Sequence, residues 1–172
     1  MARVMSEFSQ QHNLFFSSPE FAKEALASGR VMARALAEAA GDGAERLSIA
    51  RAFCEQTVAA YWQAIGGPRT VRPVDGVLEL ATLPDSASVL GDNLGRAAAE
   101  LEPEYAFYEI GLLYNVMLSA QWRSSYGVYY TPPQLTERLL GQATAAGVDW
   151  GRCRVLDPAC GGGAFLAPVA RR

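Results

Sequence analysis

Val155-Leu156-Asp157-Pro158-Ala159-Cys160-Gly161-Gly162-Gly163-Ala164-Phe165-Leu166 reads as a short apolar strand, a glycine-rich turn and the start of a helix. Val155-Leu156 suits the core of a short buried strand. Glycines let backbone N–H groups come close to a ligand, with no Cβ in the way. A strand that runs through such a turn into a helix is a recurrent way of holding a nucleotide-like cofactor. Two common forms of that device do not fit. A phosphate-cradling loop needs Gly-Lys-Ser/Thr, and none follows Gly163. A dinucleotide fingerprint needs GxGxxG; Gly161 and Gly163 match, but Leu166 stands at the sixth position.

Upstream lies Tyr126-Gly127-Val128-Tyr129-Tyr130-Thr131-Pro132. The helical pattern before it breaks at Ser124 to Gly127. Residues 129–133 are expected to be extended, because a residue preceding proline is pushed out of the helical region. Pro133 and Gln134 open a helix to about Ala146, and Val148 to Arg154 form a turn.

These two segments resemble the opening of the adenine-N6 (amino) DNA methyltransferases, in which GxYYTP precedes a DPxCGSGxF loop. The match covers Tyr126 to Leu166, 41 of 172 residues. A weaker likeness over Glu109 to Arg123 points to the type I and type II restriction–modification methylases that carry an N-terminal helical domain. The resemblance implies S-adenosyl-L-methionine as cofactor. Asp157 would face the methionine ammonium. The backbone from Ala159 through Cys160 and Gly161 to Gly163 would wrap the methionine and ribose, and Phe165 would pack near the adenine or anchor the loop. Tyr130, Thr131 and Pro132 would line the methionine end. The family usually has serine where this chain has Gly162, which removes a hydroxyl but leaves the backbone path possible. Tyr129 and Tyr130 could alternatively be packing aromatics.

The family transfers its methyl group at an Asn/Asp/Ser-Pro-Pro-aromatic segment that holds the flipped adenine. These 172 residues contain no such segment. Thr131-Pro132-Pro133-Gln134 has the prolines but lacks the aromatic. The acidic residue for the ribose hydroxyls would fall after Arg172. The resemblance therefore implies a truncated front end, inactive alone: a mainly α N-terminal helical domain (1–122), then the first strand–loop–helix of an α/β, Rossmann-like methyltransferase domain (123–172). Its partners would be DNA in the complete enzyme, the remaining methyltransferase segment, and restriction or specificity subunits. Two alternatives stay open. One is a non-enzymatic helical interaction module with a vestigial methyltransferase tail. The other is a methyltransferase acting on another amine, such as a protein glutamine.

The first two-thirds of the chain read as helical. Ser17 can cap a helix, with Glu20 completing a capping box; that helix runs to about Ala40 and stops at Gly41-Asp42-Gly43. Leu47, Ala50, Cys54, Val58, Tyr61 and Ile65 recur at spacings of three and four, which predicts an apolar face ended by Gly66-Gly67-Pro68. Residues 67–85 change character, with Val77 to Leu80 as a strand or connector. A third helix is predicted from Ser86 to Leu101, with Leu90, Leu94, Ala98 and Leu101 inward. Pro103 opens a fourth, with Tyr105, Tyr108, Leu112, Val116 and Ala120 in register.

Composition limits the function classes. Cys54, Cys153 and Cys160 show neither paired nor zinc-type spacing, and His12 is the only histidine, so metal and Ser-His-Asp chemistry find no support. The apolar run from Ile110 to Ala120 is shorter than the roughly 20 residues that a spanning helix needs. Leu14-Phe15-Phe16 is too brief for a signal peptide, and the cytoplasm is expected. The net charge is −3, which argues against a self-sufficient duplex binder. The charge is uneven: residues 1–122 carry 9 basic and 15 acidic side chains, and residues 123–172 carry 6 and 3.

Overall fold

The structure, a computed structural model, describes residues 18–67 and 80–172. The readings of His12, of Leu14 to Phe16, of Ser17 as a cap and of residues 68–79, including Val77 to Glu79, concern residues outside these. Seven helices form among the described residues: α1 Pro19–Ala39, α2 Ala44–Ala64, α3 Asp85–Ala98, α4 Pro103–Met117, α5 Ala120–Tyr126, α6 Pro133–Ala145 and α7 Leu166–Ala170.

Local chemistry sets their ends. The Ser18 hydroxyl accepts a hydrogen bond from the Phe21 N–H at 3.2 Å, and Pro19 takes the first helical position. The cap is thus Ser18. Between α4 and α5 the chain turns at Leu118 and restarts at Ser119, whose hydroxyl accepts from the Trp122 N–H. One helix therefore spans the expected boundary at residue 122. The open carbonyls at the end of α4 are met by two arginines. Arg46 Nε of α2 donates to Met117 O at 2.6 Å, and Arg123 Nη1 donates to Asn115 O and Leu118 O at 3.1 and 3.0 Å. Positive charge at a helix C-terminus is favourable.

Helices α1 to α4 enclose the core. Helix α2 lies along α3, and α1 packs on α4 and α3. Leu26, Phe53, Leu94, Leu113 and Met117 meet inside, all at or below 3% exposure. Each such side chain contributes roughly 1.5–3 kcal/mol through burial. Small residues set the helix distances. A Cβ at Gly95 would lie 2.4 Å from Thr57 O and 2.7 Å from Tyr61 N, so the α3 backbone sits directly on that of α2. An Arg30–Glu109 ion pair ties α1 to α4.

Two helix faces differ from expectation. On α2 the buried residues are Leu47, Ala50, Ala52, Phe53, Thr57, Ala60 and Tyr61, while Val58 and Ile65 are exposed. Leu47, Ala50 and Tyr61 are buried as expected, and between them Phe53 and Thr57 take the inward places expected of Cys54 and Val58; Thr57 tolerates burial by donating its hydroxyl to Phe53 O at 2.9 Å. On α4 the buried stripe is Ala106, Ile110, Leu113 and Met117, with Gly111 beside it. Tyr105, Tyr108, Leu112 and Val116 are half-buried. On α3 and just beyond it, Leu94, Ala98 and Leu101 point inward as expected.

The larger correction concerns the second half. Val155 and Leu156 form no strand, and there is no strand or sheet among the described residues. The expected Rossmann-like strand–loop–helix of an α/β domain is therefore not adopted. The physical reason is pairing: a buried parallel strand needs neighbours, and without them its N–H and C=O groups turn to water. Leu156 is accordingly 85% exposed. The helix after the glycine turn has only five residues. The mainly helical part of the expectation holds. No helix among the described residues is long and apolar enough to cross a membrane.

Candidate functional site

The glycine segment is a turn on the protein surface. The Asp157 carboxylate accepts the Ala159 N–H at 3.1 Å, which closes the turn over Pro158. The Gly163 N–H donates to Cys160 O at 2.7 Å, and the Ala167 N–H to Gly163 O at 3.0 Å, which leads into α7. Gly161 and Gly163 have φ of +52° and +79°, a region in which side chains are strained. Space beside Gly163 is open: a Cβ there would meet nothing within 4 Å. Asp157, Gly163 and Phe165 are half-buried; Ala159, Cys160 and Gly161 are exposed.

In the upstream segment, residues 128–132 are neither helix nor strand, and Pro132 is extended as expected, but the Tyr129 N–H donates to Gly127 O at 2.9 Å in a tight turn at Val128, and Pro133 already belongs to α6. The start of the segment is anchored twice. The Val128 N–H donates to Arg123 O at 3.1 Å, and the Asn115 side-chain amide of α4 donates to Val128 O. Tyr129 points outward, 72% exposed.

Tyr130 turns inward. Its ring lies between α4 and the glycine turn. A Cβ at Gly111 would be 2.8 Å from Tyr130 Cδ1, and one at Gly162 would be 3.3 Å from Tyr130 Cε1. Burial, with smaller contributions from Cys54 of α2 and Tyr114 of α4, pushes the Tyr130 phenol up to about 12. The Cys54 thiol is likewise pushed up to about 12 by burial, which keeps it a neutral, unreactive neighbour.

The structure thus joins Tyr130 to Gly161 and Gly162 across a gap in sequence, and joins Asp157 to Ala159. Thr131 is half-buried and Pro132 is exposed. Pro132 O accepts from the Leu135 and Thr136 N–H groups and so belongs to the first turn of α6. Gly111 and Asn115 had no place among the expected site residues. One sign of Gly111 is in the sequence, since glycine inside an apolar helix costs about 1 kcal/mol relative to alanine and needs a packing reason.

The basic excess of residues 123–172 is mostly occupied internally. Arg171 pairs with Glu104 at 2.8 Å, Arg172 with Glu137 at 2.6 Å and Arg152 with Asp149 at 3.6 Å, while Arg123 serves α4. Among the described residues, no group of three or more His, Cys, Asp or Glu could hold a metal ion. All three cysteines are free thiols.

Comparison of the chain with protein-family models, with curated proteins and with solved structures gives no match.

Proposed function

We propose that the chain is the cofactor-holding front part of an S-adenosylmethionine-dependent DNA methyltransferase of a restriction–modification or phage-defence system, acting on adenine N6. The observation that carries the reading is the meeting of the two motif segments in space: the Tyr130 ring rests on Gly161 and Gly162. A shared ligand site gives a reason for the two segments to meet there, beside the burial of the Tyr130 ring itself. The donor set fits the cofactor. A half-buried carboxylate at Asp157 suits an ammonium, and the open side of Gly163 leaves room for a ligand against the backbone. When bound, S-adenosylmethionine supplies an electrophilic methyl group. This chain's residues would hold and orient its methionine end, with Asp157 taking the ammonium and Cys160 to Gly163 presenting the backbone. The adenine-holding Pro-Pro-aromatic segment does not occur in these residues, so the transfer step needs other residues.

The test joins this chain to the part of an adenine-N6 methyltransferase that carries that segment, and assays label transfer from S-adenosylmethionine to DNA. The expected result is transfer that falls at least about tenfold in Asp157→Ala at limiting S-adenosylmethionine, with none from the chain by itself. Labelling that is undiminished in Asp157→Ala contradicts the reading. A second reading, a helical interaction module, is favoured by the unpaired, exposed Val155-Leu156; it predicts no cofactor affinity in the joined protein.

A further inference from the structure

Helix α4 has a second face. Ala106, Ile110, Leu113 and Met117 face the core. Phe107, Gly111 and Asn115, four residues apart, form a neighbouring stripe, and each meets a motif segment. The Phe107 carbonyl would lie 3.6 Å from a Cβ at Gly162. Gly111 lies under Tyr130: a Cβ there would come within 2.8, 2.9 and 3.0 Å of Cδ1, Cε1 and Cγ of the ring. The Asn115 amide holds Val128 O, two residues before Tyr130. Alanine at position 111 would drive the ring from its seat, because the contact involves three ring atoms and cannot be relieved by a small tilt. The ring in turn is the floor of the glycine turn at Gly161 and Gly162.

We infer that Gly111 and Asn115 are positioning residues: the helical unit holds the glycine turn in place through a seat on α4 that admits only glycine beneath Tyr130. The inference depends on the methyltransferase reading for the ligand, but not for the geometry. Without the seat, the turn is held by its own hydrogen bonds and by the short α7. Arg171 also ties the segment after it to Glu104 at the start of α4.

The experiment uses the whole chain without ligand, so that it stands or falls separately from the cofactor assignment. NMR follows two signals: the Tyr130 ring resonance, assigned by its loss in Tyr130→Phe, and the exchange rate of the Gly163 amide. In Gly111→Ala the ring signal is expected to move to that of an exposed tyrosine. The Gly163 amide should exchange at least about tenfold faster, as local opening becomes easier, while α1 to α3 amides keep their protection. Asn115→Ala is expected to speed Gly163 exchange in the same direction. Because Gly111→Ala could unfold the protein, the double variant Gly111→Ala/Tyr130→Ala completes a cycle. With the ring gone, alanine at 111 should cost nothing beyond Tyr130→Ala alone. An unchanged ring signal and unchanged Gly163 exchange in a folded Gly111→Ala protein overturn the inference. So does a double variant that unfolds where Tyr130→Ala does not.

Discussion

At Gly162 a serine side chain would meet the Tyr130 ring at 3.3 Å and the Phe107 carbonyl at 3.6 Å. A side chain at this position would thus crowd the ring slightly. Gly162→Ser is expected to shift the Tyr130 ring by a few tenths of an ångström, and to lower stability by no more than about 1 kcal/mol, read from urea unfolding. Gly95→Ala is a different case, because its Cβ would strike backbone at Thr57 and Tyr61. Backbone cannot rotate away, so a loss of about 1–3 kcal/mol is expected, visible as a lower Tm; an unchanged Tm would show that α2 and α3 are farther apart. Tyr130 also sets a pH response. Its folded-state phenol lies above the ordinary 10.0, at about 12, chiefly through burial. Below pH 10 both folded and unfolded chains keep the proton, and the stabilisation is whole. Above it the unfolded chain ionises first, so stability falls as pH rises from 10 toward 12. Unfolding titrations at stepped pH should show this decline, shallower in Tyr130→Phe. Tyr61, raised by burial and then by Glu104, adds a decline of the same sign. An identical slope in Tyr130→Phe and the parent would place the ring in water.

At the scale of elements, helix positions were largely legible and helix faces were not. Proline at 19, 103 and 133 and glycine at 41, 43, 66 and 127 punctuate the chain where the helices begin and end, since these residues act through local backbone geometry alone. Which side faces inward depends on partners. Thr57 is buried against α3 at Gly91 and Gly95, its hydroxyl satisfied by Phe53 O of its own helix, and Val58 is left outside. On α4, the aromatic positions that stand in register are half-buried, and the tight core falls to Ala106, Ile110, Leu113 and Met117. Arg46 likewise looks like a surface residue in the sequence, yet its side chain is 11% exposed and caps α4. Arg46→Ala should therefore cost about 1.5–3 kcal/mol, the range for hydrogen bonds from a charged group, measured by denaturant unfolding. A loss below about 0.5 kcal/mol, typical of a surface substitution, would mean that the cap does not hold α4. Residues 18–127, which contain the core and its caps, are expected to give a helical circular dichroism spectrum and a cooperative melt.

At the scale of the molecule, the glycine turn and the break in helix before α6 follow from the sequence, and the strand does not. Val155-Leu156 has the residue types of a buried strand, but strand formation is a property of neighbours, and the described residues offer none. The same distinction runs through the candidate site. The turn at Asp157 to Gly163 is encoded locally by proline and glycine, whereas its contact with Tyr130 depends on Gly111, far away in sequence and close in space. The most direct test of the central claim, that this turn takes S-adenosylmethionine, is calorimetric titration of that compound into the chain joined to the remaining part of an adenine methyltransferase. The account predicts binding that weakens at least about tenfold in Asp157→Ala, a loss of one charge-assisted contact. Gly161→Val should abolish it, because the turn needs φ of +52° there and a backbone open to the ligand. Affinity that is the same in the parent and both variants, all folded, would contradict the account.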